Sequence, residues 1–534
     1  MADSSNPASA PSSLALSVGK GTFFGIVANF AQVGTRFVTV PIVIAYLGLG
    51  GYGIWNIIMA TAAYMRFGSA GIKSAYQKYV AEATGNGDYE TASKLLSTGS
   101  AVMLLLSAAG LIPISIFSHQ LAHAAGVPGV FLHSAAGAIS MLALFMVFAN
   151  TGCVYESIIM GGHRIDLIRK VGTVTTVAEA IAIIIVLHFG YGLFAMATVM
   201  AASEALYIAF CFFVSRRLIP QIRVNAAHVT KTVLYELARF GGSYQLVSVL
   251  EILYVAILPV AILRSFGDSM AGVYAIVTRV ITAALILDEA FLLPILSGGT
   301  MVFASGSVER MRSLLIKSFK ITVVLSLPPL AFAAAFGTLM VTAWTGQTDP
   351  SIRGALWLVA LAALFKAFYR LQLVMYRASG RAVMDNIRQG LGIVTLLVVS
   401  FLAPQLGFYG VLGGLALSEL AGMLFMFYAV EQTFRRFETR SLLPDVLKVA
   451  IATMAILAAG SIALHIPLPR FSLAGERITA AIRLGIVTIA SLAVTWPAVT
   501  LTKSLTAEEG QTLLHIVFPS RRKIINTPSE EAGG

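Results

Sequence analysis

The 534-residue chain has few charged side chains and few cysteines. Asp, Glu, Lys and Arg make up 12% of the residues, against about 25% in soluble domains, and the hydrophobic fraction is 57%. A water-soluble protein of this length could not bury so much apolar surface. The composition therefore excludes a water-soluble protein. Cys153 and Cys211 both lie in apolar runs, which favours packing roles over a disulfide or a metal site.

Sequence motifs of common enzyme classes are also missing. The chain has no HExxH, P-loop or GxSxG pattern, and the predicted outer connections are too short for a reaction chamber. His119 and His123 are four residues apart, but two histidines alone are a weak metal signal. We therefore expect a protein that is not an enzyme and needs no cofactor or metal.

Apolar runs of about 20 residues recur along the whole sequence, and this length spans a bilayer core. The pattern predicts an all-α polytopic membrane protein with about 14 transmembrane helices. Polar tails are expected at 1–20 and 506–534. The predicted spans are 21–46, 51–72, 95–117, 131–158, 170–188, 191–214, 240–262, 270–297, 321–345, 354–376, 389–407, 409–430, 449–467 and 482–502.

Basic residues are distributed unequally between the predicted loops. One alternating set of loops holds most of the Lys and Arg residues, and the other set holds only Arg264, Arg353, Arg470, Arg477 and Arg483. Because cytoplasmic loops carry the excess of Lys and Arg, both termini are predicted to be cytoplasmic. This asymmetry accounts for the net charge of +12 without a nucleic-acid partner.

Two stretches of the sequence share a pattern at a spacing of 219 residues. GGHRIDLIR begins at Gly161 and SGRAVMDNIR begins at Ser379, and each contains Asp-x-Ile-Arg five residues after a Gly. Other pairs keep the same spacing, among them Gly48 and Gly267, Gly53 and Gly272, and Glu90 and Glu309. An ordered series at one spacing predicts an internal repeat.

The repeat predicts the domain organisation. We expect two parallel six-helix bundles, at 21–220 and 221–440, followed by two additional helices within 441–505. Since six is an even number, both bundles enter the membrane the same way round. Transporters with such repeats place their substrate sites at the interface between the halves.

The stretch from Tyr46 to Gly99 resembles the first loop region of Wzx-type polysaccharide flippases. The likeness is carried by LGxxxYGIW, FGSAGIKSAYQKY and GDYETA. These flippases form the polysaccharide branch of the multidrug/oligosaccharidyl-lipid/polysaccharide exporter superfamily. The resemblance implies transport of an undecaprenyl-diphosphate-linked oligosaccharide from the cytoplasmic to the periplasmic leaflet of a bacterial inner membrane. The product would be O-antigen, capsule or exopolysaccharide. A polysaccharide polymerase and assembly proteins are candidate partners, besides membrane lipid.

Several cations lie inside predicted spans, where a charge costs on the order of 3 kcal/mol unless it faces water or a partner. One interpretation is that they bind the substrate diphosphate, for which the guanidinium fork is suited. The other is internal pairing with Glu179, Glu204, Glu251, Asp288, Glu289 and Glu419. The predicted substrate-binding residues are Gln32, Arg36, Arg66, Arg279, Lys366 and Arg370.

Carboxylates in the spans are candidates for ion coupling, because burial raises the pKa of a carboxyl group. Glu179 and Glu251 have no acidic counterpart in the other repeat, so they are the predicted coupling residues. Glu204 and Glu419 form a matched pair, which favours structural hydrogen bonds between helices.

Two other transporters of the same superfamily remain alternatives. A multidrug/cation antiporter would usually have twelve spans and a cavity dominated by carboxylates. A lipid II flippase shares fourteen spans and a cationic cavity, but its pattern in the second helix is not visible in this sequence.

Overall fold

The computed structural model describes residues 10–63, 76, 80, 82, 86–162, 164–292, 295, 308–378, 383–433, 442–467 and 475–504. These residues form α-helices and a short 3-10 turn, and none of them lies in a strand. Twelve of the described helices are long and apolar enough to cross a membrane. The protein is therefore an all-α, multi-pass membrane protein.

The helices are named here in sequence order. They are α1 Ala10–Ala63, α2 Tyr89–Ile116, α3 Ser118–Ala124, α4 Gly129–Gly161, α5 Ile165–His188, α6 Leu193–Leu218, α7 Lys231–Ala284, α8 Val308–Thr345, α9 Ser351–Ala378, α10 Val383–Phe401, α11 Ala403–Thr433, α12 Leu443–Leu464 and α13 Glu476–Leu501.

Helices α1 and α7 each consist of two helical segments that meet at a glycine. Gly48 has φ 72° and ψ 173°, and Gly267 has φ 84° and ψ 178°. Glycine adopts this conformation without the steric cost that a Cβ would bring. Predicted spans 1 and 2 join at the first glycine, and spans 7 and 8 at the second. The later parts of spans 2 and 8 lie outside the described residues.

The same pairing recurs at other turns of the backbone. Gly126 and Gly346 are 220 residues apart, Gly190 and Gly407 are 217 apart, and all four have φ between 68° and 86°. Gly87 is left-handed too, but its counterpart at 306 lies outside the described residues. The repeat seen in the sequence is thus present in the backbone of the described turns.

Contacts group the protein into two compact units. The first comprises Met1–Thr278, Trp344–Ala355 and Asp385–Ser418. The second comprises Arg279–Ala343, Leu356–Met384 and Glu419–Gly534. The division into bundles 21–220 and 221–440 is based on the repeat and stays a prediction.

Close helix packing in the first unit depends on small residues. A methyl group added at Gly53 would overlap the backbone of Gly272, its counterpart in the repeat, and one added at Gly272 would overlap the carbonyl oxygen of Leu49. Cys153 and Cys211 are buried and form no disulfide, as predicted.

The second unit is organised around aromatic and aliphatic side chains of α8, α9 and α11, among them Phe319, Tyr369 and Phe427. Predicted helices 13 and 14 are α12 and α13. They pack tightly at Gly460, where an added methyl group would lie 2.7 Å from Ser491 Oγ and 2.8 Å from the Phe336 ring.

Candidate functional site

Helix α9 carries two of the predicted substrate-binding cations, one turn apart. Arg370 is partly buried and meets two carboxylates of the helical segment 286–292. Its Nη1 lies 3.3 Å from Glu289 Oε1, with hydrogen-bond geometry, and 3.8 Å from Asp288 Oδ2. The internal pairing that the sequence left open is therefore present for Arg370.

Asp288 is the buried member of this group. Its side chain is fully shielded from solvent, whereas that of Glu289 is 47% exposed. Neither carboxylate oxygen of Asp288 has a hydrogen-bond partner among the described residues. An isolated buried carboxylate is costly, and among the described residues Arg370 is the ion-pair partner of Asp288.

Lys366 differs from its neighbour, because its side chain is exposed. No carboxylate in the described part of the protein forms an ion pair with it. The second unit thus contains one cation that is held by carboxylates and one that has no ion-pair partner among the described residues.

Arg36 lies on α1 in the first unit, with an exposed side chain. It is close enough to Glu179 on α5 to attract that carboxylate electrostatically. The packing of α1 against α5 brings the two together. The two side chains, 143 positions apart in the sequence, are therefore within electrostatic range of each other.

The structure describes fewer features of the remaining predicted site residues. Arg66 lies outside the described residues, as does the side chain of Gln32 in α1. Arg279 and Glu251 are both on α7, and both are exposed.

The matched carboxylates Glu204 and Glu419 have different surroundings. Glu204 is half-buried, whereas Glu419 is 3% exposed. The Tyr369 hydroxyl, next to Arg370 on α9, donates a hydrogen bond of 2.5 Å to Glu419 Oε2. This bond links α9 to α11 and fits the structural role that the sequence favoured for Glu419.

A buried polar group in the first unit was not expected from the sequence. Arg388 Nη2 lies 3.7 Å from Asp385 Oδ1, and Gln389 Nε2 donates to the same oxygen at 3.1 Å. The guanidinium carbon of Arg388 also lies 5.8 Å from the centre of the Tyr254 ring. In the first copy of this Asp-x-Ile-Arg motif, Asp166 pairs instead with Arg164 and Lys170. The motif indicated the repeat in the sequence, but it did not indicate that the side chains of its second copy are buried.

Groups that could bind a metal ion are the last candidates for the site. No three His, Cys, Asp or Glu side chains among the described residues are placed to hold one.

The sequence matches no family model, and it matches no curated protein. Solved structures do resemble its fold. An inward-closed structure of the lipid II flippase MurJ is 14% identical over 90% of this chain and 99% of its own, with a TM-score of 0.68. An inward-facing multidrug resistance MATE family transporter of the MOP superfamily is 15% identical over 76% and 94%, with a TM-score of 0.64.

A third similar structure comes from the same superfamily as the MATE transporter. It is a MOP superfamily transporter from Pyrococcus furiosus, 15% identical over 79% of this chain and 94% of its own, with a TM-score of 0.51. The reverse polarity of its binding pocket suggests a different function for that transporter. The similar structures are transporters and a flippase rather than enzymes. The present protein thus has the fold of the MOP superfamily transporters.

Proposed function

We propose that the protein is a flippase of the bacterial inner membrane, with both termini in the cytoplasm. Its substrate is an undecaprenyl-diphosphate-linked oligosaccharide, which it moves to the periplasmic leaflet for surface polysaccharide synthesis. The two repeats alternate between inward-open and outward-open states, and the diphosphate and sugars cross between them while the lipid tail stays in the bilayer.

The extent of the structural match is the observation that carries this proposal. The MurJ structure covers 90% of the chain, whereas the MATE structure covers 76%. A multidrug exporter would usually have twelve spans, whereas the sequence of this chain predicts about fourteen. The fuller match to a flippase of a lipid-linked substrate, together with the likeness of residues 46–99 to polysaccharide flippases, favours a lipid-linked cargo.

The chemistry of the cations is compatible with a diphosphate. Lys366 is exposed and has no ion-pair partner among the described residues, so it can bind a phosphate oxygen as a point charge. Arg370 can offer its guanidinium fork, but the diphosphate must then compete with Asp288 and Glu289. We assign first contact to Lys366 and a conditional contact to Arg370.

Arg36 and Glu179 extend the proposal to coupling. Their proximity lets an incoming diphosphate and the carboxylate compete for one guanidinium. Glu179, once released, would take up a coupling cation, and Glu251 is the second coupling candidate. Arg66, Arg279 and Gln32 stay proposed substrate contacts on the basis of their positions in the predicted spans.

The proposal is tested by depleting the protein in its own cells and extracting undecaprenyl-diphosphate-linked sugars. Spheroplasts are first treated with a membrane-impermeant oxidant of sugars, so that only glycans on the cytoplasmic leaflet survive. We expect a completed oligosaccharide to accumulate in protected form, and its mass identifies the cargo. Accumulation of protected lipid II would assign the protein to the lipid II alternative.

Surface polysaccharide that is still exported, with no protected lipid-linked sugar, would contradict the proposal and favour the multidrug/cation antiporter. Complementation of the depleted cells with Lys366→Met and with Lys503→Met separates substrate contact from general loss of charge. Lys503 is an exposed lysine just after α13, so its variant is the matched control. We expect the protected glycan to persist in cells that carry the Lys366 variant and to disappear in cells that carry the Lys503 variant.

A further inference from the structure

The linker between α6 and α7, residues 219–230, lies at the predicted boundary of the two repeats and has a defined conformation. Ile219 and Ile222 are buried in an apolar cluster with Leu95 and Leu96 of α2. A 3-10 turn at Ala226–His228 follows, and the Asn225 side chain accepts a hydrogen bond from the Ala227 N–H at 3.3 Å. The linker therefore packs as part of the first unit.

Three buried hydroxyl groups on α2 bind the backbone of this linker. Ser93 Oγ accepts from the Arg223 N–H at 3.0 Å, and Ser97 Oγ accepts from the Asn225 N–H at the same distance. The Thr230 N–H donates to Thr98 Oγ1, also at 3.0 Å. All three α2 side chains are at most 3% exposed.

Each of these three hydroxyl groups also donates a hydrogen bond. Ser93 and Thr98 donate to the carbonyl oxygens of Tyr89 and Lys94 one turn earlier, both at 2.7 Å. Ser97 donates to the linker carbonyl of Arg223 in a longer bond of 3.4 Å. A hydroxyl group that donates one bond and accepts another is well satisfied, so these buried positions carry no unmet polar atom on the hydroxyls.

The hydroxyl pattern belongs to the first repeat alone. The residues 219 positions after Ser93, Ser97 and Thr98 are Arg312, Ile316 and Lys317. None of these can accept a backbone N–H through a hydroxyl. The arrangement is thus not a by-product of the repeated fold but occurs where the backbone leads from the first repeat into the second.

We propose that these three hydroxyl groups form an anchor that fixes the start of α7 to α2. Helix α7 begins at Lys231, directly after Thr230, so no residue separates the last anchored amide from the helix. Past Gly267, the backbone of Gly272 lies against Gly53 of the first repeat. The linker is a rigid attachment point, and α7 is tied to the first repeat near both of its ends.

The anchor has a consequence for alternating access, and this consequence rests on the proposed function. A movement between inward-open and outward-open states would leave residues 219–230 in place and would bend the backbone at positions after Thr230. The anchor itself is a property of the fold, and its test needs no substrate. Failure of the anchor and failure of the proposed cargo are therefore distinguishable.

Hydrogen–deuterium exchange on the purified full-length protein tests the anchor, with single-residue resolution over 219–230. Ser93→Ala should speed exchange at Arg223, Ser97→Ala at Asn225, and Thr98→Val at Thr230. Each change should be about fivefold, as expected for the loss of one ordinary hydrogen bond. Ser140→Ala is the matched control, because the Ser140 hydroxyl donates to the carbonyl oxygen of Ala136 in its own helix and to no other described residue.

Limited digestion with trypsin gives a second readout. The Arg223 side chain is exposed, but its backbone is held on both sides by Ser93 and Ser97. We expect the wild type and Ser140→Ala to resist cleavage after Arg223, and Ser93→Ala/Ser97→Ala to be cut. Wild-type amides at 223, 225 and 230 that exchange like an unfolded peptide, or folded variants with unchanged exchange, would overturn the proposal.

Discussion

Lys366 and Arg370 lie one helical turn apart on α9, yet only Arg370 forms ion pairs among the described residues. The carboxylates of Asp288 and Glu289 hold its guanidinium. Two cations that look equivalent in the sequence therefore have different surroundings: Arg370 forms ion pairs with Asp288 and Glu289, and Lys366 has no ion-pair partner among the described residues.

This difference predicts a separation of stability from transport. Arg370→Met should lower the free energy of unfolding by about 2 to 3 kcal/mol, because it leaves the buried Asp288 carboxylate without its counter-charge. Lys366→Met should leave the melting temperature unchanged and reduce transport. Thermal unfolding in detergent and the protected-glycan assay measure the two effects. Equal melting temperatures for the two variants would remove the distinction.

A second substitution should restore part of the stability that Arg370→Met loses. Asp288→Asn combined with Arg370→Met removes both charges, so we expect the double variant to be more stable than Arg370→Met alone. If the double variant melts lower than both single variants, Asp288 does not depend on Arg370 for compensation.

The contact between Gly53 and Gly272 predicts intolerance of a single methyl group. Gly272→Ala should destabilise the protein by about 1 to 3 kcal/mol, the usual cost of overpacking. Gly172→Ala is the matched control in α5, where nothing lies within 4 Å of an added Cβ. That change should stabilise the protein by about 0.5 to 1 kcal/mol. Melting temperatures of the two variants should move in opposite directions, and a shared direction would refute the close approach.

The bond between Tyr369 and Glu419 predicts a specific loss. Tyr369→Phe keeps the ring but removes the hydroxyl donor, and a hydrogen bond to a charged group contributes about 1.5 to 3 kcal/mol. Tyr428→Phe on the exposed face of α11 should have no effect. A double-mutant cycle with Glu419→Gln measures the coupling, and additive effects would contradict a direct bond.

Asp88 predicts a pH dependence at the start of α2. The hydrogen bonds from Thr91, above all from its side chain, hold the pKa of Asp88 below its ordinary value of 3.8. A lowered pKa means that the carboxylate stabilises the helix start above pH 3.8 and that this contribution is lost as the pH falls through the folded-state pKa. The protection factor of the Thr91 amide should therefore drop on acidification.

Asp88→Asn provides the control for this titration. An asparagine cap cannot be protonated in this range and binds the same amide. We expect the Thr91 protection factor of this variant to be independent of pH. If the variant loses protection in acid as the wild type does, another group is responsible.

The sequence predicted the helical membrane fold well because its signals are local. Apolar runs mark the spans, and glycines such as Gly48 and Gly267 mark the junctions, since the backbone at a left-handed position itself selects the residue. The burial of Cys153 and Cys211 followed from their apolar neighbourhoods in the same way.

The partners of the charged residues were not predictable by the same means. Asp288 and Arg370 are 82 positions apart, and Tyr369 and Glu419 are 50 apart. Which carboxylate meets which cation depends on how helices pack, and no periodicity within one helix encodes it. The anchor residues Ser93, Ser97 and Thr98 were missed for a related reason, because a hydroxyl on a helix usually bonds its own backbone and gives no sign of a second partner.

The paired glycines with positive φ bear on the origin of the sequence repeat. When a gene segment is duplicated, side chains in either copy can drift, and here Arg36 corresponds to a valine at position 255 of the other copy. A backbone that turns through positive φ allows far less drift, because almost every other residue is strained there. The two halves have therefore inherited the same turns while diverging in charge. The repeated turns and the diverged charges would together suit the substrate proposed above, which carries a diphosphate at one end and sugars at the other.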